Sequence, residues 1–217
     1  MVEAVQPHAH VVSHTSESKT SMNSVSKPRT INRVLLTRLR RDFHLDWRGI
    51  HGVSHWARVR LNGVLLARHT GARSDVVELF AFLHDSQRRH DGRDRDHGKR
   101  AASYVLTLQG EVIHLDREGL EMLTHACACH SDGHTEADVT VQTCWDADRL
   151  DLGRVGIRLD PARLCTPASR TAEIIRPAVA RSLMSGARSS GGSRRTSGAD
   201  RLTPDNSTAQ PTNDCRG

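Results

Sequence analysis

The sequence predicts an all-α fold, a single bundle of about six or seven helices over residues 30–184, and three observations support this prediction. Apolar side chains recur every three or four positions in successive segments of that range. The segments are longer than typical β-strands, which outweighs the β-propensity of the valines and phenylalanines in the second and third of them. Glycine, serine or aspartate stands where several of the segments should begin or end.

The first two helices are predicted from their apolar stripes. In "INRVLLTRLRRDF", four apolar residues follow helical spacing, namely Ile31, Val34, Leu35 and Leu39. In "SHWARVRLNGVLLARHTG", Trp56, Val59 and Leu66 lie near one face of the predicted helix. Gly71 is predicted to end this second helix, because glycine adopts the left-handed conformation that commonly follows a helix.

Three further helices follow in the middle of the chain. Ser74 is predicted to cap the third, "DVVELFAFLHD", which carries Asp75 in its first turn. The segment "RDHGKRAASYVLTL" predicts the fourth helix, and Asp116 is predicted to cap the fifth, "REGLEMLTHACACH". The apolar stripe of the fifth helix consists of Leu120, Leu123 and Cys127.

The last two helices are predicted from "VTVQTCWDADRLDLGR" and "PASRTAEIIRPAVARSLM". Pro177 is expected to interrupt the second of these, since proline removes a helical hydrogen bond. Residues 1–29 and 185–217 are rich in polar and small residues without helical periodicity. Such segments bury too little apolar surface to offset chain entropy, so the sequence predicts a disordered tail on each side of the domain.

Composition restricts the function classes. The net charge of +6 is typical of a nucleic-acid binder, but aromatic residues make up only 3% of the chain, which argues against base-stacking surfaces. Five cysteines without disulfide-rich spacing indicate a reducing compartment. We find neither a signal-peptide pattern nor an apolar run long enough to span a membrane, and therefore expect a cytoplasmic protein without a membrane partner.

Polar residues interrupt the apolar faces of several predicted helices. His55 lies one turn before Val59, and the pair His84 and Asp85 ends the apolar run "VVELFAFL". An unpaired buried carboxylate costs several kcal/mol, so a bound cation would explain Asp85. Two more such residues come from later helices: His130 continues the stripe of the fifth, and Asp148 lies in the sixth. Imidazole and carboxylate groups converging from separate helices are what a divalent metal requires.

The segments "HWARV", "LFAFLHDS" and "DADRLDLG" resemble, in this order, the H…HD…D pattern of the HD superfamily of metal-dependent phosphohydrolases. The resemblance covers about residues 48–165. It implies that four residues bind one or two divalent ions (Mn, Mg, Fe, Co, Ni or Zn), namely His55, His84, Asp85 and Asp148. The family's "ADRL" element favours Asp148 over Asp146 as the last ligand, while His51, one turn before His55, remains an alternative first ligand.

Some members of the family have extra histidines that hold a second metal ion. The segment "RDHGKRAA" resembles the first such element and supplies His97. The segment "LTHACACHSDGH" resembles the second and supplies His130, with His125 as the other choice. The same segment could instead suggest a zinc site of Cys127, Cys129, His130 and His134, but its C-x-C spacing is not typical of zinc sites.

The resemblance implies a hydrolase that acts on a nucleotide or another small phosphate ester through a metal-activated water, with Asp85 and His84 as the catalytic residues. Arg88, Lys99 and Arg100 lie near the predicted ligands in sequence and are candidates for binding the substrate phosphate. Two other functions remain open. One is a catalytically silent HD-type module that senses nucleotides, and the other is an HD-like di-iron oxygenase.

Overall fold

The computed structural model describes Met1 and residues 30–189, with side chains described as far as residue 184. The described residues confirm the all-α prediction, since they form seven α-helices, three short 3₁₀ helices and no β-strand. The α-helices are α1 (Arg33–Asp42), α2 (Val53–Thr70), α3 (Ser74–Leu83), α4 (His97–Leu108), α5 (Arg117–Cys129), α6 (Val139–Arg149) and α7 (Ala172–Ser189). Of the predicted tails, residues 2–29 and 190–217 lie outside the described residues.

Helix α2 lies at the centre of the bundle and packs against α3 and α6. Helix α5 packs against α3, α4 and α6, so that these five helices surround one apolar core. The largest fully buried side chains in this core include Trp56, Phe80, Leu123 and Trp145. Residues near the ends of these helices therefore lie close together even when they are far apart in sequence. Within residues 30–189, no helix has both the length and the apolar character needed to cross a lipid bilayer.

The structure tests the predicted helix ends individually. Gly71 has a φ of 75° and donates its N–H to Ala67, which confirms it as the end of α2. Asp116 accepts a hydrogen bond from the backbone N–H of Gly119, which confirms it as the cap of α5. The predicted cap at Ser74 is wrong, because Ser74 is already helical and Arg73 precedes the helix.

Two further expectations about the helices are corrected. Val34 is 63% exposed, because α1 packs through Leu35 and Leu39, one turn apart, and Val34 lies outside that stripe. Pro177 does not interrupt α7, which continues to Ser189 and so includes residues 185–189 of the predicted tail. Pro177 and Glu173 are both exposed, so water can solvate the one carbonyl that loses its helical partner.

A partly buried network joins the end of α1 to α4. The Asp42 carboxylate accepts hydrogen bonds from Arg41 (2.7 Å), Arg38 (2.8 Å) and the Tyr104 hydroxyl (2.9 Å). The bond from Arg41 makes the largest contribution, and together with the bonds from Arg38 and Tyr104 it holds the pKa of Asp42 well below its usual range. Because the folded-state pKa is lowered, Asp42 stabilises the fold above its unfolded-state pKa of about 3.9, and this stabilisation is lost as pH falls further.

We therefore expect Asp42→Asn to lower the free energy of unfolding by about 1 kcal/mol at pH 7. The difference from the wild type should shrink as pH falls below about 4, since Asp42 of the unfolded wild-type chain then takes up a proton, which stabilises the unfolded state. Urea denaturation of both proteins at pH 7 and pH 3 measures this. A difference that stays constant between the two pH values would contradict the assigned role of Asp42.

Candidate metal centre

Five helices bring six histidine and aspartate side chains to one place inside the bundle. Five of these residues are almost fully buried: His55, His84, Asp85, His97 and His130. The sixth, Asp148, is 13% exposed. His55 lies in α2, His84 and Asp85 directly follow α3, and Asp148 lies in α6. His97 begins α4 and His130 follows α5, so all six residues predicted as metal ligands are brought together.

The first set of ligand atoms is formed by the four residues of the H…HD…D pattern. The Nε2 atoms of His55 and His84 are 3.1 Å apart, and both face the carboxylates of Asp85 and Asp148. His55 Nε2 lies 3.4 Å from Asp148 Oδ1 and 3.6 Å from Asp85 Oδ2. Atoms that bind one ion at about 2.1 Å and at right angles are about 3.0 Å apart, so this spacing fits a shared metal ion.

The second set lies on the other side of Asp85. The Nε2 atoms of His97 and His130 are 2.8 Å apart, and they lie 3.2 and 3.7 Å from Asp85 Oδ1. The two oxygens of Asp85 therefore face different pairs of imidazoles. Each of three overlapping groups of these residues has its ligand atoms within 4.8 Å of one another. A carboxylate placed in this way can bridge two ions.

The hydrogen bonds of the other imidazole nitrogens fix which nitrogen faces the centre. The Nδ1 atoms of His84 and His130 lie 3.1 and 2.8 Å from the carbonyl oxygens of Phe80 and Cys127, and His97 Nδ1 contacts the carbonyl of Asp94. A carbonyl oxygen only accepts, so each Nδ1 carries the proton of the neutral ring. In the neutral rings that bind metals, the Nε2 lone pairs then point at each other within each pair, an arrangement that repels unless a proton or a metal cation lies between them.

Asp148 provides independent support for a cation. Its Oδ1 atom is buried and has no hydrogen-bond partner among the described residues. A buried, unpaired carboxylate oxygen carries a large desolvation cost. The same atom lies 3.4 and 3.6 Å from the Nε2 atoms of His55 and His84, so an ion bound by those imidazoles would also satisfy Asp148. The donor set of imidazoles and carboxylates thus fits a divalent transition metal.

The protonation states of the centre suit metal binding. Burial, reinforced by the positive charge of Arg154, lowers the pKa of His55 to about 3, so this imidazole is neutral at pH 7. Burial by itself would raise the pKa of Asp85 and of Asp148. Interaction with the neighbouring imidazoles, His84 above all, outweighs burial and holds both pKa values well below their usual range, so both carboxylates are ionised. Neutral imidazoles and ionised carboxylates are the forms that bind metals.

A second layer of residues orients His55, and the sequence analysis missed it. Asp151 Oδ2 lies 2.7 Å from His55 Nδ1, and Arg58 donates two hydrogen bonds, of 2.7 and 2.9 Å, to the same carboxylate. Such a carboxylate fixes the tautomer of the imidazole and increases its basicity. Asp151 comes three residues after Asp148, a spacing that places both on one face, and this signal could have identified it.

The structure distinguishes His51 from His55 as the first candidate ligand, and Asp146 from Asp148 as the last. His51 Nδ1 is 2.9 Å from Asp85 Oδ2, but His51 belongs to none of the potential metal groups among the described residues. Asp146 is fully buried and accepts hydrogen bonds from the backbone N–H groups of Cys165 (2.6 Å) and Thr166 (2.8 Å). Asp146 therefore fixes the loop after α6 rather than facing the imidazoles.

The cysteine-based alternative has no geometric support within residues 30–189. The potential metal groups found there contain only histidine and aspartate, and His130 faces His97. Burial raises the pKa of the Cys127 thiol, which disfavours the thiolate that zinc requires. His125, the other choice for the second-metal ligand, lies against Trp145 instead, with ring centroids 5.9 Å apart.

A cavity of about 480 Å³ opens onto the centre, and Asp85, Asp148 and His130 form part of its lining. Five arginines also line it: Arg88, Arg149, Arg154, Arg158 and Arg163. Its remaining wall is largely aliphatic and comes from the segment after α6, with Leu152, Val155, Ile157 and Leu159. The cavity therefore combines positive charge beside the centre with an apolar side.

The three predicted phosphate-binding residues lie in two different places. Arg88 lines the cavity, where its Nε donates to Asp85 Oδ1 at 2.9 Å. Lys99 and Arg100 line a separate surface depression, and Arg100 forms an ion pair with Asp94. Helix α4 presents these two side chains away from the centre, so their nearness to His97 in sequence does not bring them to the cavity.

No protein-family model, curated protein or solved structure that we compared with this chain matches it.

Proposed function

We propose that this chain is a metal-dependent phosphohydrolase of the HD type, acting on a nucleotide or another small phosphate ester. The observation that carries the proposal is the pair of facing imidazole sets on either side of Asp85, at one end of an arginine-rich cavity. One or two divalent ions bound there would activate a water molecule and stabilise negative charge on the phosphoryl oxygens. We further propose a cytoplasmic location, because the four cysteines within the described residues are free, buried thiols.

The residues of the chain have separate tasks in this proposal. Asp85 and His84 hold the ions, with His55 and Asp148 on one side and His97 and His130 on the other. Asp151 and Arg58 keep the His55 imidazole in the required tautomer. The arginines in the cavity favour an anionic substrate, and the aliphatic wall accommodates its non-phosphate part.

The proposal is tested by elemental analysis of the purified full chain, followed by a screen for inorganic phosphate release. The panel should contain nucleoside mono-, di- and triphosphates, p-nitrophenyl phosphate and bis-p-nitrophenyl phosphate. We expect Mn, Mg, Fe, Co, Ni or Zn at one or two ions per chain and turnover of at least one ester. The double variant His84→Ala with Asp85→Ala should lose that turnover by about 1,000-fold or more.

Lys99→Ala is the matched control, because this exposed residue lies outside the cavity and should leave turnover unchanged. Equal phosphate release by the wild type and the double variant would contradict the proposal. A protein that binds nucleotides without metal or turnover would instead support the regulatory module. A redox-active di-iron centre without phosphatase activity would support the oxygenase.

A further inference from the structure

A buried arginine that the sequence analysis did not select lies beside the metal centre. Arg154 belongs to the short 3₁₀ helix Leu152–Val155, its side chain is 6% exposed, and it lines the same cavity as Asp85 and Asp148. From these observations and the contacts described below, we propose that Arg154 binds the non-bridging oxygens of the phosphoryl group beside the ions. This role rests on the proposed function, because it needs a phosphoryl group in the cavity.

The backbone holds one side of the guanidinium in place. Arg154 Nε donates to the carbonyl of Ile50 at 3.0 Å, and Nη1 donates to the carbonyl of Asp151 at 3.2 Å. The 3₁₀ helix is itself packed tightly against α7, since a Cβ at Gly153 would lie 2.2 Å from the Ser182 hydroxyl. The position of Arg154 is therefore fixed before any ligand binds, which lowers the entropy cost of using it.

The other side of the guanidinium retains unused donors. Its Nη2 lies 3.7 Å from Asp85 Oδ2, and its Nη1 lies 3.8 Å from Asp148 Oδ1, both beyond hydrogen-bond distance. Within residues 30–189, Nη2 makes no hydrogen bond. A buried cation is costly unless an anion accepts its hydrogen bonds. The planar guanidinium can donate two parallel bonds to a phosphate group, which is the geometry expected here.

The other arginines of the cavity are less suited to this role. Arg88 is bound to Asp85 and to the carbonyl of Gly92. Arg149 donates to the carbonyls of Arg163 and His134, and it thereby holds the loop that forms the cavity wall. Arg158 and Arg163 lie further along the cavity wall, and both are exposed. Arg154 combines burial, fixed position and proximity to two metal-binding carboxylates.

The charges of the centre also favour an anion at Arg154. Asp85 lies within 4 Å of both Arg88 and Arg154, and Asp148 lies within 4 Å of Arg154. These arginines already offset the two carboxylates, so each divalent ion adds positive charge that they do not balance. A phosphate dianion would restore the balance in a site where burial strengthens electrostatic interactions.

The test compares the full-length, metal-loaded wild type with Arg154→Met and Arg154→Lys. Metal content is measured by elemental analysis, and the affinity for inorganic phosphate is measured by isothermal titration calorimetry. We expect both variants to keep the wild-type metal content. Arg154→Met should weaken phosphate binding at least tenfold, and Arg154→Lys should recover part of the loss, since lysine keeps the charge without the bidentate geometry. For an ester that is hydrolysed, Arg154→Met should also raise KM.

Arg68→Met is the matched control, because it removes an exposed arginine at the end of α2, outside the residues that line the cavity, and should change phosphate affinity less than threefold. Phosphate affinity of Arg154→Met within twofold of the wild type would overturn the role of Arg154. So would loss of the metal in both Arg154 variants, which would show that Arg154 holds the ligands, or absence of phosphate binding by the wild type. Arg154-dependent phosphate binding without hydrolysis of any ester would keep the anion site and reject the proposed function.

Discussion

Replacing Asp85 by Asn is expected to reduce the metal content of the protein to below about 0.2 ions per chain and to reduce turnover by about 1,000-fold. The two oxygens of Asp85 face different imidazole pairs, at 3.6 Å from His55 and 3.2 Å from His97. Asparagine keeps the shape of the side chain but removes its negative charge, and its amide nitrogen cannot bind a metal. One substitution should therefore weaken both sets of ligands.

The comparison with His97→Ala makes this prediction specific. His97 belongs to only one of the potential metal groups in the described part of the chain, together with Asp85 and His130. Its loss should remove about one ion from a two-ion centre and leave the ion held by His55, His84 and Asp148. Elemental analysis of the wild type and the two variants, prepared in parallel, measures the number of ions per chain in each protein.

His69→Ala serves as the control for histidine loss, since His69 is exposed at the end of α2. Circular dichroism of each variant separates metal loss from unfolding. If folded Asp85→Asn retains the metal content of the wild type, Asp85 is not the bridging ligand and the proposed centre is wrong.

The convergence of the candidate ligands could be predicted in part from the sequence, because several of them interrupt an apolar helical face. His55, His84 and His130 lie one turn from core residues, so the helical period already directs them inward. The resemblance then selected Asp148 over Asp146, and the described structure places Asp146 in contact with the loop at Cys165 and Thr166 instead. Helical period was sufficient for the three histidines, since it depends on local sequence, whereas His97 and Asp148 needed the resemblance.

The residues that interact across the fold could not be predicted in this way. Arg58 and Asp151 are 93 positions apart in the sequence, and no local sequence pattern indicates that they form a hydrogen bond. Lys99 and Arg100 lie near His97 in sequence, but residues within one helical turn can point to opposite faces. These two side chains lie on the face of α4 directed away from the core. Arg154 is brought to the cavity by the turn after α6, whose path depends on packing against α7. Tertiary packing decides each of these positions.

The close approach of α4 to α5 leads to the second large prediction. A Cβ atom at Gly98 would lie 2.6 Å from the carbonyl oxygen of Cys127 and 2.7 Å from that of Ala128. Both are backbone atoms, so no side-chain rotation can relieve the contact. The same Cys127 carbonyl lies 2.8 Å from His130 Nδ1, and Gly98 directly follows His97. Gly98 therefore sets the distance between the two imidazoles of the second ligand set.

We expect Gly98→Ala to lower the free energy of unfolding by roughly 1–3 kcal/mol. The direction of this change in stability is informative, because Gly→Ala within a helix normally stabilises the helix by about 1 kcal/mol. A loss of stability would therefore report the contact with α5. Moving α4 away from α5 should also separate His97 from His130, whose Nε2 atoms are 2.8 Å apart. The variant should consequently lose the ion held between them and keep the other.

Gly92→Ala is the matched control, since Gly92 is exposed and a Cβ there would lie no closer than 3.4 Å to its nearest neighbour, His90. Urea denaturation and elemental analysis of the two variants and the wild type measure both effects. If Gly98→Ala is as stable as the wild type and binds as much metal, α4 and α5 can separate without moving His97. In that case the second ligand set does not depend on this helix contact, and packing at Gly98 does not control metal binding.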